Sequence, residues 1–135
     1  MRHAARWVCI LVLVAATGCG GAGAKRKLEL LDEALIQYGQ ALRWGRYDDL
    51  QQYHMNRQGE RTFIDQAAMQ PIRVTGFSVQ NKTVNDEVSE AIITGQVSFY
   101  HTDYGTLRQI PVNQTWWFEP ESKRWLMDGE FPVFK

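Results

Sequence analysis

The sequence predicts an α+β domain in which N-terminal helices pack on a strongly bent, four-stranded antiparallel sheet. Apolar residues recur at helical spacing before Pro71, and four β-rich segments separated by turn residues follow it. The chain has 135 residues, which is long enough for one such domain with its own core. We therefore expect a single folded unit built in the order helices, then sheet.

The helical part begins with an amphipathic pattern. Its apolar positions are spaced by three and four residues: Leu28, Leu31, Leu35, Tyr38 and Leu42. Gly45 stands where a helix commonly ends, and Gly39 inside the helix would allow close packing against the sheet. Two short helices are predicted next, over 48–54 and from Thr62 to before Pro71.

The predicted strands are Ile72–Val84, Glu87–His101, Gly105–Phe118 and Lys123–Asp128. When each hairpin is centred on its turn, Gly76 lies opposite Gly95, and Gly95 lies opposite Val112 beside Pro111. Glycine in a strand marks a bulge or a close approach, and proline marks an edge or a bulge. We therefore expect a crease across the sheet at these positions.

The same registers assign residues to the two faces of the sheet. One face is nearly all apolar, so the helices should cover it; it includes Phe99 and Trp116. The other face is half polar and carries four large aromatic residues: Phe77, Tyr100, Trp117 and Trp125. Such a patch is typical of a protein–protein interface, although the C-terminal segment 131–134 or a helix of the same chain is an equally good candidate to cover it.

The N-terminal residues have the organisation of a secretion signal. Arg2 and Arg6 stand at the start of an apolar run over 7–16, which is too short to span a membrane, and small residues follow. The chain has 15 basic and 15 acidic side chains, and the net charge becomes −2 without residues 1–18. Nucleic-acid binding needs a basic surface, so we expect no nucleic-acid partner.

The stretch Leu13–Cys19 resembles the lipobox of bacterial lipoproteins, in which the Cys becomes the first mature residue and carries acyl chains. The resemblance implies a signal peptide at 1–18, lipidation of Cys19 and a membrane partner held through that lipid. Gly20 in place of Asp after the Cys implies the outer membrane, facing the periplasm. The alternative is an ordinary cleaved signal with an unmodified Cys.

A tether is predicted between the Cys and the domain, so that 19–27 forms the lipidated Cys and a flexible segment and 28–135 the domain. The basic residues Lys25–Lys27 at its end would either touch anionic headgroups or form the solvated start of the first helix.

Helices followed by a creased sheet resemble the NTF2-like (SnoaL-like, ketosteroid-isomerase-like) α+β cone. The segment Ala41–Leu50 is similar to the helix–Gly–short-helix step of that family, and Trp116–Phe118 with Lys123–Gly129 is similar to its last hairpin. The resemblance implies a cone with a mouth where a ligand would sit. Members include isomerases, dehydratases and cyclases as well as non-catalytic binding domains, so the fold does not settle the function.

The expected pocket contains Gln114 and Asp128 as cross-strand neighbours, beside Trp116 and Phe99. A carboxylate facing an apolar pocket acquires a raised pKa and can serve as a general base. Ketosteroid-isomerase-like chemistry would use Asp128 in that role and a helix tyrosine as the polarising hydrogen-bond donor. The tyrosine candidates are Tyr38 and Tyr53. The alternative for Asp128 is a solvated residue that caps a turn.

We predict neither a bound metal nor a cofactor. His54 and His101 are not accompanied by other ligands at metal-binding spacing, and His54 is interpreted as a helix-end residue. The favoured function is a membrane-anchored periplasmic lipoprotein whose domain binds a partner without catalysis. The partner would be a second copy or another envelope protein. The alternatives are a small cone-pocket enzyme and a carrier of a small apolar molecule.

Overall fold

The computed structural model describes residues 20–135, so the predicted signal peptide and Cys19 lie outside the described residues. The elements in chain order are α1 (Gly20–Trp44), α2 (Tyr47–Gln51), α3 (Gln66–Met69), β1 (Ile72–Val84), β2 (Glu90–His101), β3 (Leu107–Glu119) and β4 (Arg124–Asp128). The strands form one antiparallel sheet in the order β1-β2-β3-β4, with α1 packed on one face. The predicted α+β class and the four-stranded meander are confirmed.

The long helix α1 buries the face that the sequence pattern predicted. Leu31, Tyr38 and Leu42 are almost fully buried along that face. A Cβ on Gly39 would lie 3.1 Å from the ring of Phe77, so the glycine permits the close approach of α1 to β1. Gly45 then ends the helix in the left-handed conformation, with φ +64°.

The start of α1 differs from the prediction. Residues 20–27 were expected as a flexible tether, but the helix begins at Gly20. Two contacts support the added turns: Trp125 Nε1 donates to the Lys27 carbonyl at 2.8 Å, and the Lys27 ammonium lies 4.9 Å from the Phe118 ring centroid. These contacts hold Lys27 against the β3–β4 hairpin, and the helix continues upstream of it to Gly20.

The register between β1 and β2 also differs from the prediction. Gly76 pairs with Ser98 rather than with Gly95, which pairs with Val79. The turn is longer than expected because the Asn85 side chain accepts hydrogen bonds from two later backbone N–H groups. Two register shifts in β1, at Val79/Asn81 and Val74/Gly76, then each change the pairing by one residue.

Gly95 is nevertheless the point of closest approach in the sheet. A Cβ at this position would lie 2.1 Å from the backbone oxygen of Ser78, which no side chain tolerates. Its predicted pairing with Val112 on β3 is confirmed. The predicted irregularity therefore lies at Gly95, with Ser78 and Val79 as its neighbours on β1 instead of Gly76.

The last hairpin is shifted by one residue. Trp116 pairs with Met127 and Thr115 with Asp128, because the turn holds four residues and Lys123 adopts a positive φ of 54°. A one-residue shift exchanges the two faces of a strand. Trp125 and Met127 therefore join the core beneath the helices, and Asp128 moves to the opposite face.

Residues 53–55 extend the sheet beyond β4. Met127 N donates to the Tyr53 carbonyl at 2.7 Å, and Met55 N donates to the Met127 carbonyl at 3.2 Å. This pairing places the intervening His54 side chain in the core, where it is fully buried. The segment thereby supplies the interior with a polar residue that neither a helix nor a regular strand carries.

Candidate functional site

Two polar side chains, Tyr38 and His54, form a hydrogen bond in the interior between α1 and the sheet. Both are fully buried, and the Tyr38 hydroxyl lies 2.9 Å from His54 Nε2. His54 Nδ1 lies 3.4 Å from the Gly129 carbonyl oxygen, which can only accept a hydrogen bond. We therefore assign the ring proton to Nδ1, so that Nε2 accepts the hydrogen bond from Tyr38.

A second buried pair lies on β3. The Trp116 indole N–H donates to Gln114 Oε1 at 3.0 Å. Since an indole nitrogen can only donate, this bond fixes the orientation of the Gln114 amide. Within residues 20–135, Gln114 Nε2 is the one buried side-chain nitrogen or oxygen without a hydrogen-bond partner. The hydrogen bonding of this interior is therefore incomplete, and an unpaired buried amide costs about 1–3 kcal/mol of folding free energy.

Burial keeps the Tyr38–His54 pair neutral. It lowers the pKa of His54 to about 4, an effect that the hydrogen bond to the Gly129 carbonyl partly opposes. It also raises the pKa of Tyr38 far above its usual range. At neutral pH the imidazole and the phenol are therefore both uncharged.

Aromatic side chains fill the space around these polar groups. The Tyr38 ring packs edge-on against Trp116 with ring centroids 5.5 Å apart. The C-terminal segment 130–135, which we call the tail, adds two more rings. The ring centroids of Phe131 and His54 lie 5.6 Å apart, and those of Phe134 and Phe99 lie 5.0 Å apart. The expected cone pocket is thus occupied by the protein's own side chains.

The pocket residues predicted from the sequence are only partly brought together. Gln114, Trp116 and Phe99 face the interior as expected. Asp128 does not, because the shifted register pairs it with Thr115 on the opposite face of the sheet. The predicted Gln114–Asp128 pair is wrong, and with it the role of Asp128 as a base in the pocket.

The two candidate tyrosines have different surroundings. Tyr38 lies at the centre of the interior, whereas the Tyr53 hydroxyl donates outward to Gln37 Oε1 at 3.1 Å. Burial raises the pKa of Tyr53, and the nearby Arg124 opposes that shift. The carboxylate that acts on Tyr53 is Asp49, which is exposed on α2 and not in the interior, so neither tyrosine forms the pair that the predicted enzyme requires.

The predicted exposed patch of four aromatic residues does not form. Phe77 packs against Tyr38 with ring centroids 5.8 Å apart, and Trp125 is 1% exposed in the core. Trp117 does lie on the opposite face, but it is buried there and its indole donates to the Met55 carbonyl at 2.8 Å. Tyr100 is half-buried. The prediction put Phe77 and Trp125 on the wrong face. The bulges of β1 account for Phe77, and the four-residue turn before β4 accounts for Trp125.

His54 is the central interior residue that the sequence interpretation missed. It was interpreted as the end of a short helix, but α2 ends at Gln51 and His54 pairs with Met127. The sequence around His54 does not reveal its pairing with Met127, because the two residues are far apart in the chain. The alternation of apolar and polar residues over Tyr53–Met55 indicates only that this run can be extended.

An open cleft lies between the α3 region and the tail. Its volume is about 390 Å³, and residues 62–69 form one side and residues 130–134 the other. Phe63 is 81% exposed and Val133 is 66% exposed, so each side presents an apolar residue to solvent. The charged residues that line the cleft are Asp65 and Glu130. One Asp65 oxygen accepts a hydrogen bond from Ala68 N and so caps α3.

The cleft lies at the end of the domain opposite the start of α1. Phe134, on one side of the cleft, contacts Phe99 near the end of β2, whose last residues pair with the start of β1. The helix start instead contacts Trp125 and Phe118 at the β3–β4 turn. We call these two regions the cleft end and the helix-start end.

The cleft end also carries further exposed apolar side chains. They are Trp44 at the end of α1, and Tyr104 and Leu107 at the turn between β2 and β3. Large exposed apolar residues gathered at one end of a domain indicate an interaction surface.

Residues 20–135 contain no group of three or more His, Cys, Asp and Glu side chains arranged to hold a metal ion. In the same part of the chain, no helix combines the length and the apolar character that crossing a bilayer requires.

Comparisons with known proteins add little to this site. No protein-family model matches the chain, and no curated protein matches it significantly. Among solved structures, it is similar to a "putative polyketide cyclase" from Xanthomonas campestris pv. campestris. The two are 18% identical over 81% of this chain and 93% of that chain, with a TM-score of 0.44. At this level the similarity carries no argument about function.

Proposed function

We propose that this protein is a lipid-anchored component of the bacterial cell envelope whose domain binds another polypeptide without catalysing a reaction. The observation that carries the proposal is the contrast between a filled interior and an open cleft. Phe131 and Phe134 pack on His54 and Phe99 and help to fill the interior. Phe63 and Val133 are instead exposed beside an open cleft. Exposed aromatic residues around a cleft favour protein recognition.

The position of the cleft supports this proposal. The helix α1 has 25 residues and runs from the helix-start end towards the cleft end. At 1.5 Å per residue it is about 37 Å long. A lipid on Cys19, immediately before the helix, would therefore hold the helix-start end at the membrane. The cleft would then face away from the bilayer, where a periplasmic partner can reach it.

The anchor is tested with the full chain expressed in its native host. Cys19→Ser should abolish the incorporation of labelled palmitate, because the acyl chains that hold the protein at the membrane attach to this residue. Cys9→Ser is the matched control and should keep the label. Labelling of Cys19→Ser equal to that of the wild type would contradict the anchor and leave the binding domain to be tested separately.

The binding function is tested by photo-crosslinking in cells. A photoreactive amino acid placed at Phe63 or Val133 should give a discrete crosslinked product, because both side chains are exposed at the cleft. The same amino acid at Ile92, which is 44% exposed on the sheet, is the control and should give none. The mass of the product distinguishes a second copy of this chain from a different protein. No product at either cleft position would contradict the proposed function.

A cone-pocket enzyme is the second candidate, and one observation favours it. The unpaired Gln114 Nε2 lies in the same interior as the Tyr38–His54 hydrogen bond, and these groups can polarise a carbonyl and accept a proton. This function would use His54 in place of Asp128 and would require the tail to move away. A small molecule retained in the purified protein would support it.

A further inference from the structure

The tail is held in place by side chains alone. Phe131 packs on His54 and Phe134 on Phe99, and the two tail rings also lie 5.8 Å apart. No backbone hydrogen bond joins residues 130–135 to any other residue of the described part of the chain. The backbone carbonyl groups of the tail, and its N–H groups except at Pro132, which has none, therefore remain available to an incoming chain.

The charge of the cleft is one-sided. Asp65 lies on the α3 side and Glu130 on the tail side, and among residues 20–135 no Lys, Arg or His lines the cleft. Asp65 uses one oxygen to cap α3, which leaves the second oxygen and the whole Glu130 carboxylate to face a ligand. An apolar cleft between two carboxylates favours a ligand that combines an apolar group with a positive charge.

We infer that the cleft binds an extended peptide segment of the partner protein, with one large apolar side chain in the cleft and a Lys or Arg beside it. The peptide backbone would bond to the unpaired carbonyl groups of residues 130–134 and to the N–H groups on either side of Pro132. The apolar side chain would contact Phe63 and Val133, and the basic residue would pair with Glu130. This inference rests on the proposed function and adds the chemistry of the partner.

The test selects a random dodecapeptide phage library on the detergent-solubilised full chain. The expected consensus is a large apolar residue with Lys or Arg within a few positions. Phe63→Ser should weaken the selected peptides about tenfold or more, since an exposed aromatic anchor is lost. Glu130→Lys should weaken the basic peptides about fivefold and strengthen synthetic versions carrying Glu at the basic position. Ile36→Ser, at an exposed apolar residue of α1 outside the cleft lining, is the control and should change neither affinity.

Several results would overturn the inference. They are no enriched peptide, a consensus without basic residues, full affinity in Phe63→Ser, or the same peptide preference in Glu130→Lys. The crosslinking experiment separates this failure from failure of the proposed function. Crosslinks at Phe63 together with any of these results would keep the binding domain and reject the peptide chemistry. Absence of both crosslinks and selected peptides would reject the two together.

Discussion

The interior and the cleft are both rich in aromatic side chains, but they use them differently. In the interior, Trp116 and Tyr38 are fully buried and their polar atoms bond to other buried groups. At the cleft, Phe63 is 81% exposed and Val133 is 66% exposed. The first arrangement stabilises the fold. The second leaves apolar surface in water, which does not stabilise the isolated domain and which the proposed binding function would account for.

Most residues that stabilise the fold are therefore different from those proposed to bind a partner. Substitutions in the interior should lower the free energy of unfolding, and binding should then fail only because the domain unfolds. Substitutions at the cleft should leave the unfolding free energy unchanged and remove binding. The tail belongs to both regions, since its two phenylalanines line the cleft and also pack on His54 and Phe99.

Trp116→Ala should have the largest effect on stability. The side chain is 0% exposed and contacts both Tyr38 and Tyr53. Truncating such a residue leaves a large cavity and costs about 3–5 kcal/mol of unfolding free energy, measurable by urea denaturation. Trp44→Ala is the matched control, because Trp44 is 71% exposed, and should cost under about 0.5 kcal/mol. Equal losses in the two variants would contradict the division between interior and surface.

Gly95→Ala should be the next most destabilising change. Its Cβ would lie 2.1 Å from the backbone oxygen of Ser78, so β1 and β2 must separate to accept it. We expect a loss of about 3 kcal/mol in unfolding free energy. Gly76→Ala is the control in the same region, since its Cβ meets no atom within 4 Å. An unchanged melting temperature for Gly95→Ala would show that the close approach is not as described.

Acidification should weaken the interior through His54. Burial lowers its pKa to about 4, below the value of about 6.5 in the unfolded chain. Between these values the unfolded state binds the proton and the folded state does not. The contribution of His54 is therefore present above pH 6.5 and is lost as the pH falls towards 4.

Between pH 7 and pH 5 the predicted loss is about 2 kcal/mol of unfolding free energy. His54→Gln should remove that part of the pH dependence when urea denaturation is repeated at both pH values. His101→Gln is the control at a partly exposed histidine and should retain the wild-type pH dependence of the unfolding free energy. If the unfolding free energy of His54→Gln falls with pH as steeply as that of the wild type, His54 does not stay neutral in the folded protein.

Phe63→Ser should have the smallest effect on stability. The side chain is 81% exposed, so the unfolding free energy should change by under about 0.5 kcal/mol. The same variant is expected to lose the crosslinked or peptide partner described above. A variant that loses both stability and binding would contradict this expectation, because it would show that Phe63 supports the fold.

The architecture was predictable because it depends on local patterns. Spacing of apolar residues located α1, and turn residues located all four strands, with β1 at Ile72–Val84 as predicted. The pairing of Gly95 with Val112 was also predictable, since that hairpin contains no irregularity between the paired residues. Regular periodicity carries this information wherever no bulge interrupts it.

The site was not predictable because it depends on single-residue shifts and long-range contacts. One extra turn residue before β4 moved Asp128 out of the interior and Trp125 into it. The bulges of β1 placed Phe77 on the helix face. His54 is buried because it pairs beside Met127, and no local pattern encodes that contact.

The most direct test of the account is native mass spectrometry of the full protein extracted from its native envelope in mild detergent. The account predicts a chain that begins at acylated Cys19, bound to a second polypeptide and carrying no small organic molecule. Phe63→Ser should release that polypeptide while the chain stays folded. A chain that retains a small molecule, with no polypeptide partner, would contradict the filled interior and favour the cone-pocket enzyme or the carrier.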